Sequence, residues 1–310
     1  MPHWYDQITD KFVANVANRY MVESGIEAFD VFPQLSVRQL SGYIAKYTKD
    51  AWFKIGTVND YKRAGAVESI GDDYAVTYAQ YVLEEYAFHK DVSKDDRNEY
   101  DNPFDPVRDA IEFVMTRLKR VLMQNMTSTF LAASVWTTEV AGGTDFTAWS
   151  TGSTGTPVND VLTWREEVHK ITGYWPNKMI IGPDVYRILK SNDDITAKMK
   201  TTSDKVVTKD VLARLFEIDK LVIFDAVNTT ATDHVFTDKA LLVYTPDRPS
   251  KFAPSAGYNL IYRGKDHKDF GTSRIPMREK NDALRIEAWV KSEPKVLAAD
   301  LGVYATNVVA

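Results

Sequence analysis

Cysteine is absent from the 310 residues of this chain, so disulfide bonds, thiolate metal sites and a cysteine nucleophile are excluded. Long apolar runs are also absent. Stretches such as residues 221–224 are far shorter than the ~20 residues that a membrane-spanning helix needs. The opening residues MPHWYDQITDKF contain no basic patch followed by an apolar core, which a secretory signal would have. We therefore expect a soluble protein that folds in a reducing cytoplasm.

The chain has little excess charge of either sign. Its net charge is −5, and lysine and arginine are scattered among the acidic residues. A protein that grips nucleic acid by its phosphates normally has a basic stripe, so sequence-specific DNA binding is not expected, whereas enclosing DNA stays open. A content of 44% hydrophobic and 26% charged residues is typical of a globular chain with one large domain or two intimate ones.

Recognised catalytic motifs are missing as well. None of the five histidines lies in a catalytic frame, and the G-x-S-x-G, H-E-x-x-H and phosphate-loop patterns do not occur. Glu166, Glu167 and His169 lack zinc-site spacing and are interpreted as solvated residues on a helix. The glycine-rich run at 152–155 is interpreted as a linker, because no buried strand leads into it and no lysine follows. The sequence thus predicts no catalytic, cofactor-binding or metal-binding residue.

The segment 89–103 is rich in charge and in turn signals. Its acidic residues could invite calcium; they are Asp91, Asp95, Asp96, Glu99 and Asp101. They lack the spacing of an EF-hand loop, and three basic residues are interleaved with them. We interpret the segment as a solvated loop.

The N-terminal part of the chain predicts elements that must pack against another surface to be stable. Residues 1–33 combine a short helical pattern with an aromatic stretch before Pro33, which indicates an arm on another surface; packing on its own domain is the alternative. Residues 34–88 predict a long β-hairpin, because two extended stretches surround a polar tip containing glycine. A hairpin of that length cannot stabilise itself in water.

A long amphipathic helix is predicted over residues 106–131. Asp105 would be its N-cap and Pro106 its first helical residue. At 1.5 Å per residue the helix would run roughly 39 Å. Apolar residues recur at spacings of three and four along it, namely Val107, Ile111, Val114, Met115, Leu118, Val121, Leu122, Met126 and Phe130.

The second half of the chain predicts an α/β lobe over 141–256, connected by a flexible glycine-, serine- and threonine-rich linker at 141–157. Buried strands are predicted at 178–181, 221–224 and 240–244. From Gly257 to the end the chain returns to β character, and residues 283–309 are expected to pair with the hairpin or the long helix.

Five stretches, taken in order, resemble the major capsid proteins of tailed bacteriophages of the Hong Kong 97 type. They are Ala28–Pro33 with Val37, 43–47 and Phe53; Lys62–Gly65; Asn102–Pro106; Gly173–Pro183; and Thr208–Phe224. The segment Gly173–Pro183, GYWPNKMIIGP, is the strongest single match. It is similar to the family's step of glycine, proline–asparagine, apolar strand and helix. Each motif alone is ordinary turn chemistry, and their order carries the resemblance.

The resemblance implies an α+β capsid fold. Its parts would be an N-terminal arm at 1–33, an extended hairpin (the E-loop) within 34–88, and a peripheral domain at 89–140 with the long spine helix 106–131. An α/β axial domain would follow at 141–256, and 257–310 would return as strands to the peripheral domain. The chain would assemble into hexamers and pentamers of an icosahedral shell that encloses double-stranded DNA without sequence-specific binding. It would belong to the virion and be assembled in the host cytoplasm.

The same resemblance implies contacts between subunits. The E-loop tip would contribute Asn59, Asp60, Tyr61, Lys62 and Arg63, and the arm would contribute Trp4, Tyr5, Phe12, Phe29 and Phe32. A separate scaffolding protein is implied, because no long charged helical extension precedes the arm. A portal protein would be a further partner, and a decoration protein stays open. No motif matches the family's crosslinking lysine and asparagine, so crosslinking is not predicted.

Two other functions stay open at this point. An encapsulin-type nanocompartment shell has the same fold and holds an enzyme in place of DNA; the long arm and hairpin favour the phage protein. An α/β enzyme with an unrecognised site in the second lobe would be a discrete small particle, whereas a capsid protein forms very large assemblies.

Overall fold

The computed structural model describes residues 27–46, 61–63, 68, 77–98, 105–150, 154–199, 207–226, 234–249, 254–263, 270–277 and 282–309. These residues divide into two compact units. The first unit takes its described residues from Met1–Gly42, Val82–Ala132 and Asn259–Lys295, and the second from Tyr43–Tyr81, Ala133–Tyr258 and Val296–Ala310. The chain passes repeatedly from one unit to the other, so neither unit is one continuous stretch of sequence.

The described residues form seven α-helices, a short 3-10 helix at Ala299–Leu301, and twelve strands. The helices are α1 (Glu27–Val31), α2 (Lys94–Asn98), α3 (Pro106–Phe130), α4 (Pro157–Thr172), α5 (Pro183–Ser191), α6 (Asp193–Met199) and α7 (Lys209–Leu215). The strands are β1 (Gln34–Val37), β2 (Ser41–Lys46), β3 (Thr77–Val82), β4 (Glu84–Val92), β5 (Thr138–Ala141), β6 (Lys178–Ile181), β7 (Lys220–Ile223), β8 (Ala240–Val243), β9 (Gly257–Tyr262), β10 (Gly271–Met277), β11 (Ala283–Val296) and β12 (Gly302–Thr306). None of the described helices is long and apolar enough to cross a membrane.

The first unit is built on a five-stranded sheet. Its order is β1–β9–β11–β10, and β4 also pairs with β11. β1 runs parallel to β9, while β10 and β4 run antiparallel to β11. Leu284, Ile286, Ala288 and Val290 of β11 are buried and alternate with partly exposed residues, as the sequence predicted. Helix α3 packs on β4 and closes the core of this unit.

Helix α3 begins where the sequence predicted. The Asp105 carboxylate accepts hydrogen bonds from the backbone N–H groups of Val107 (2.9 Å) and Arg108 (3.4 Å), which caps the helix. The helix ends at Phe130, one residue before the predicted end, because Leu131 has left the helical region with φ −107° and ψ 15°. Its buried residues are Ala110, Ile111, Val114, Met115, Leu118, Leu122, Met126 and Phe130.

The second unit is built on another five-stranded sheet, in the order β5–β12–β8–β6–β7. β6 is parallel to β7 and antiparallel to β8, and β12 is antiparallel to β8 and parallel to β5. β6 and β8 are buried along their whole length, which explains why they are apolar apart from Lys178, whose Nζ pairs with Asp247. Residues of α4 to α7 share one apolar core with this sheet. The second unit is therefore an α/β lobe, with bounds that differ from the predicted 141–256.

The flexible linker predicted at 141–157 is wrong for the residues of it that the structure describes, 141–150 and 154–157. Trp149 is only 1% exposed and belongs to the core of the second unit. Its backbone N–H donates to the carbonyl of Val308 (2.8 Å), and its indole Nε1 donates to the carboxylate of Asp160 (2.9 Å). The composition of this segment suggested a linker, but two aromatic residues within it, Phe146 and Trp149, pack against Trp164.

The C-terminal residues also differ from the prediction. Residues 259–295 lie in the first unit with the long helix, but Val296–Ala310 belong to the second unit. β12 lies between β5 and β8 in that unit's sheet. The last strand therefore does not return to the hairpin or to α3.

The segment 89–103, interpreted as a solvated loop, is largely regular where it is described. Residues 89–92 are the end of β4, and Lys94–Asn98 form α2. The charged residues were misleading because β4 has one broadly exposed face, along which charge is tolerated.

Candidate interaction surfaces

A two-stranded ribbon formed by β2 and β3 has one buried and one exposed side. Ile44, Ala79 and Tyr81 are buried, whereas Tyr43 and Tyr78 are 68% and 67% exposed. Successive side chains of a strand point to opposite faces, so both exposed tyrosines point away from their buried neighbours. Tyrosine is enriched where proteins bind other proteins. The ribbon therefore presents an aromatic surface with the character of a contact site.

The predicted E-loop tip lies partly within the described residues. Tyr61 is 53% exposed, and Lys62 and Arg63 are exposed as well. Asn59 and Asp60 lie outside the described residues. The proposed role of this tip as a subunit contact stays a prediction.

The predicted arm contacts divide in a similar way. Trp4, Tyr5 and Phe12 lie outside the described residues. Phe29 is partly buried. Phe32 is 1% exposed, and its ring stacks on that of Phe130 at the end of α3, with centroids 3.8 Å apart and an angle of 6° between the planes. The Phe32 ring is therefore covered by its own chain, which was the alternative interpretation of this stretch.

A cluster of two phenyl rings and two cations lies on the first unit, and the sequence interpretation missed it. Phe88 of β4 and Phe113 of α3 are 37% and 41% exposed, with ring centroids 5.9 Å apart. The Nζ of Lys90 and the Cζ of Arg117 lie 5.1 Å and 5.4 Å from the Phe113 centroid, within cation–π distance. We call these four side chains the phenyl–cation patch. The available signal was Phe113 itself, an aromatic residue among the charged residues of the helix.

An exposed tryptophan marks a surface of the second unit. Trp175 is 47% exposed, and His169 stacks on it with centroids 4.1 Å apart and an interplanar angle of 12°. The Cζ of Arg165 lies 5.3 Å from the Trp175 centroid, and its Nη1 donates to the Glu217 carboxylate at 2.6 Å. Glu166, interpreted from sequence as solvated, is exposed and pairs with Lys170. This stack joins α4 to the segment that follows its C-cap, Gly173.

An acid-lined pocket of about 440 Å³ lies on the first unit; its lining residues are Lys90, Asp91, Val92, Asp96, Pro106 and Asp109. The Arg285 side chain donates two hydrogen bonds to the Asp91 carboxylate, from Nε at 2.7 Å and from Nη2 at 2.9 Å. The hydrogen bond to Asp91 raises the pKa of the Arg285 guanidinium. The carboxylate is thus used to hold β4 to β11. Among the described residues, no group of three or more acidic or histidine side chains could hold a metal ion.

Near the core of the second unit, Asp160 is the carboxylate whose pKa is most clearly shifted. Burial raises the pKa of Asp160, hydrogen bonds from Trp149 and Thr156 lower it, and the charge of Asp194 raises it, with a net upward shift. Its hydrogen bond to the Trp149 indole braces the segment before α4. It therefore serves the packing of the unit.

The chain was compared with known proteins in sequence and in fold. No protein-family model matches the chain. A major capsid protein of Burkholderia phage BcepMu is 27% identical over 157 residues, which cover 47% of this chain and 48% of that protein. The chain thus matches about half the length of this curated relative.

Solved structures match over nearly the whole chain. A phage-related protein from Bordetella bronchiseptica has a TM-score of 0.75 at 19% identity, covering 97% of this chain and 98% of that one. An encapsulin complex from Synechococcus elongatus has a TM-score of 0.57 at 12% identity, covering 91% and 88%. The capsid of Cyanophage P-SCSP1u has a TM-score of 0.55 at 12% identity, covering 90% and 87%. The chain therefore has the mixed α/β fold of phage capsid proteins, and the resemblance to phage major capsid proteins found in its sequence is confirmed.

Proposed function

We propose that this chain is the major capsid protein of a tailed bacteriophage. In this proposal it assembles, with a Hong Kong 97-type fold, into the icosahedral head that encloses double-stranded DNA. The observation that carries the proposal is the agreement of two similarities: half of the chain matches a phage major capsid protein in sequence, and about nine tenths matches a phage capsid in fold. The protein would then be a component of the virion and not an enzyme.

In this proposal the two units would be the two domains of a capsid subunit. The first unit, which contains the long helix α3, would be the peripheral domain, and the second unit, with its β5–β12–β8–β6–β7 sheet, would be the axial domain. The β2–β3 ribbon would be the base of the E-loop. This assignment gives the exposed tyrosines Tyr43 and Tyr78 a role, because they would be covered by an adjacent copy.

Assembly would derive its stability from many weak contacts. A single ribbon contact with two tyrosines is small compared with a stable protein–protein interface of about 1,600 Å². Each subunit of a closed shell makes several such contacts at once, which raises the overall avidity far above that of any pair. A scaffolding protein and a portal protein would direct the assembly, and the shell would enclose DNA without reading its sequence.

An encapsulin-type shell is the second candidate, and the fold match to an encapsulin complex favours it. The two functions share the subunit fold and differ in cargo. A portal or terminase gene beside this one would favour the phage capsid, whereas a neighbouring cargo enzyme would favour the nanocompartment.

Electron microscopy of the purified protein tests the proposal. We expect large closed shells, either from the protein alone or after co-expression with the proteins encoded beside it. A compact single particle under all of these conditions would refute it and would favour an enzyme with an unrecognised site.

A matched pair of variants tests the ribbon. Replacing Tyr43 and Tyr78 by serine should reduce the yield of closed shells while the thermal unfolding of the dispersed subunit stays unchanged, since both rings are exposed. Val235→Ser, at a 36% exposed position of the same unit, is the control and should assemble normally. Normal shells from the tyrosine variant would remove the ribbon from the proposal.

A further inference from the structure

We propose that the phenyl–cation patch of the first unit binds a short acidic segment with an apolar side chain, carried by a separate protein that associates transiently during assembly. The patch consists of Phe88, Lys90, Phe113 and Arg117. The role of the partner in assembly depends on the proposed function, whereas the binding chemistry depends on the patch alone.

The patch is a compact arrangement on two packed elements. β4 and α3 lie against each other, so the two rings are held by regular backbone. The rings lie 5.9 Å apart, and both cations lie within 5.4 Å of the same Phe113 centroid. Because contact with the ring restrains each charge, less side-chain entropy is lost when an anion binds.

The two cations of the patch, Lys90 and Arg117, form no ion pair with any of the described residues. Two of the nearby acids are already bound, Asp91 by Arg285 and Glu112 by Arg108, whereas Asp96 and Asp109 line the pocket beside Lys90. Arg117, which does not line that pocket, therefore has the more available of the two positive charges, and it fits a partner of opposite charge.

The two phenyl rings require a partner that is also apolar. Phe88 and Phe113 are each more than a third exposed. Covering adjoining apolar groups is favourable by about 25 cal/mol per Å². A leucine or an aromatic side chain beside a carboxylate would satisfy both the rings and the cations.

A peptide segment fits this surface better than DNA does. A duplex presents a continuous row of phosphates, and exposed acids flank the patch: Glu84 on β4 and Asp109 one turn before Phe113 on α3. These charges would repel an extended polyanion, whereas a short segment can end before reaching them. Phosphates also supply no apolar atoms to cover the rings.

The size of the patch indicates a partner that dissociates. Four side chains form far less than the area of a permanent interface, and exposed charges are screened by salt. Contacts between copies in a finished shell must be permanent. A weak, salt-sensitive contact suits a protein that must leave before the shell matures.

Fluorescence anisotropy on dispersed subunits tests the inference. The probe is a labelled peptide of alternating glutamate and leucine, compared with a peptide of alternating lysine and leucine and with a short DNA duplex. We expect only the acidic peptide to bind. The affinity of this peptide should fall as the sodium chloride concentration is raised. It should also fall roughly fivefold with Arg117→Gln and roughly tenfold with Phe113→Ala. Arg120→Gln is the matched control, because Arg120 is exposed on the same helix and lies over neither ring, so it should change affinity less than twofold.

Three results would overturn the inference. Equal losses with Arg117→Gln and Arg120→Gln would mean that only net charge matters. Tighter binding of the duplex, reduced by Phe113→Ala, would mean that the occupant is nucleic acid. Loss of self-association in Phe113→Ala without any peptide would mean that a second copy occupies the patch. Failure of the wild type to form shells refutes the proposed function but leaves the peptide result intact, so the two failures can be distinguished.

Discussion

Replacing Phe32 by alanine separates a contact within the subunit from a contact between subunits. The Phe32 ring is 1% exposed and stacks on the equally buried Phe130 at 3.8 Å. Truncating a buried phenylalanine costs about 3–5 kcal/mol, of which the lost ring pair accounts for about 1 kcal/mol. We therefore expect Phe32→Ala to lower the free energy of unfolding of the dispersed subunit by about 4 kcal/mol. Phe29→Ala, at a partly buried neighbouring position, should cost about 1 kcal/mol.

Urea unfolding followed by circular dichroism measures this difference as a shift of the midpoint at constant slope. If Phe32 instead clasped a neighbouring copy, the variant subunit would be as stable as the wild type and only shell assembly would fail. Unfolding within about 1 kcal/mol of the wild type, together with lost assembly, would therefore refute the intramolecular role of Phe32.

Three further predictions concern packing, a charge pair and pH. Gly302→Ala should lower the free energy of unfolding by about 1–3 kcal/mol, because a Cβ there would lie 2.4 Å from Cε3 of the buried Trp136. Adding Trp136→Leu should recover part of this loss, measured by urea unfolding. No recovery would exclude the clash as the cause. Asp91→Asn and Arg285→Gln, combined in a double-mutant cycle, should give a coupling energy of about 2 kcal/mol, since the bidentate pair joins β4 to β11 at directly opposed positions; a coupling near zero would contradict this. Burial raises the pKa of Asp160 in the fold, so this carboxyl favours folding below its unfolded pKa and loses that contribution as pH rises through its folded pKa. Asp160→Asn should therefore gain stability relative to the wild type at neutral pH and lose this advantage near pH 3, and a difference independent of pH would contradict the shift.

Local signals accounted for the elements that the sequence predicted well. Helix α3 was located almost to the residue, because Asp105, Pro106 and the spacing of the apolar residues act within a few turns of one another. The buried strands β6, β7 and β8 were recognised for a similar reason: short apolar runs bounded by turn residues need no knowledge of their partners.

The errors arose where a distant partner decides the structure. Trp149 lies in a glycine- and serine-rich run, and only its contacts with Trp164 and Val308 make that run part of a core. β12 was assigned to the wrong unit, because its neighbours β5 and β8 are far from it in sequence. Strand pairing over such distances leaves no local pattern beyond the alternation of the strand itself.

The interaction surfaces show which sequence signal would have been informative. Phe32 was selected as a contact because aromatic residues cluster near it, yet its own chain covers it. Phe113 is 41% exposed, and on a helical wheel it falls outside the stripe defined by Ile111, Val114 and Leu118. Val121 was assigned to the buried face by its spacing of three from Leu118, yet it is 42% exposed. An apolar residue on the polar side of a strict helical pattern cannot reach the core under its own helix, so its position in the period, more than its aromatic character, indicates an exposed apolar surface.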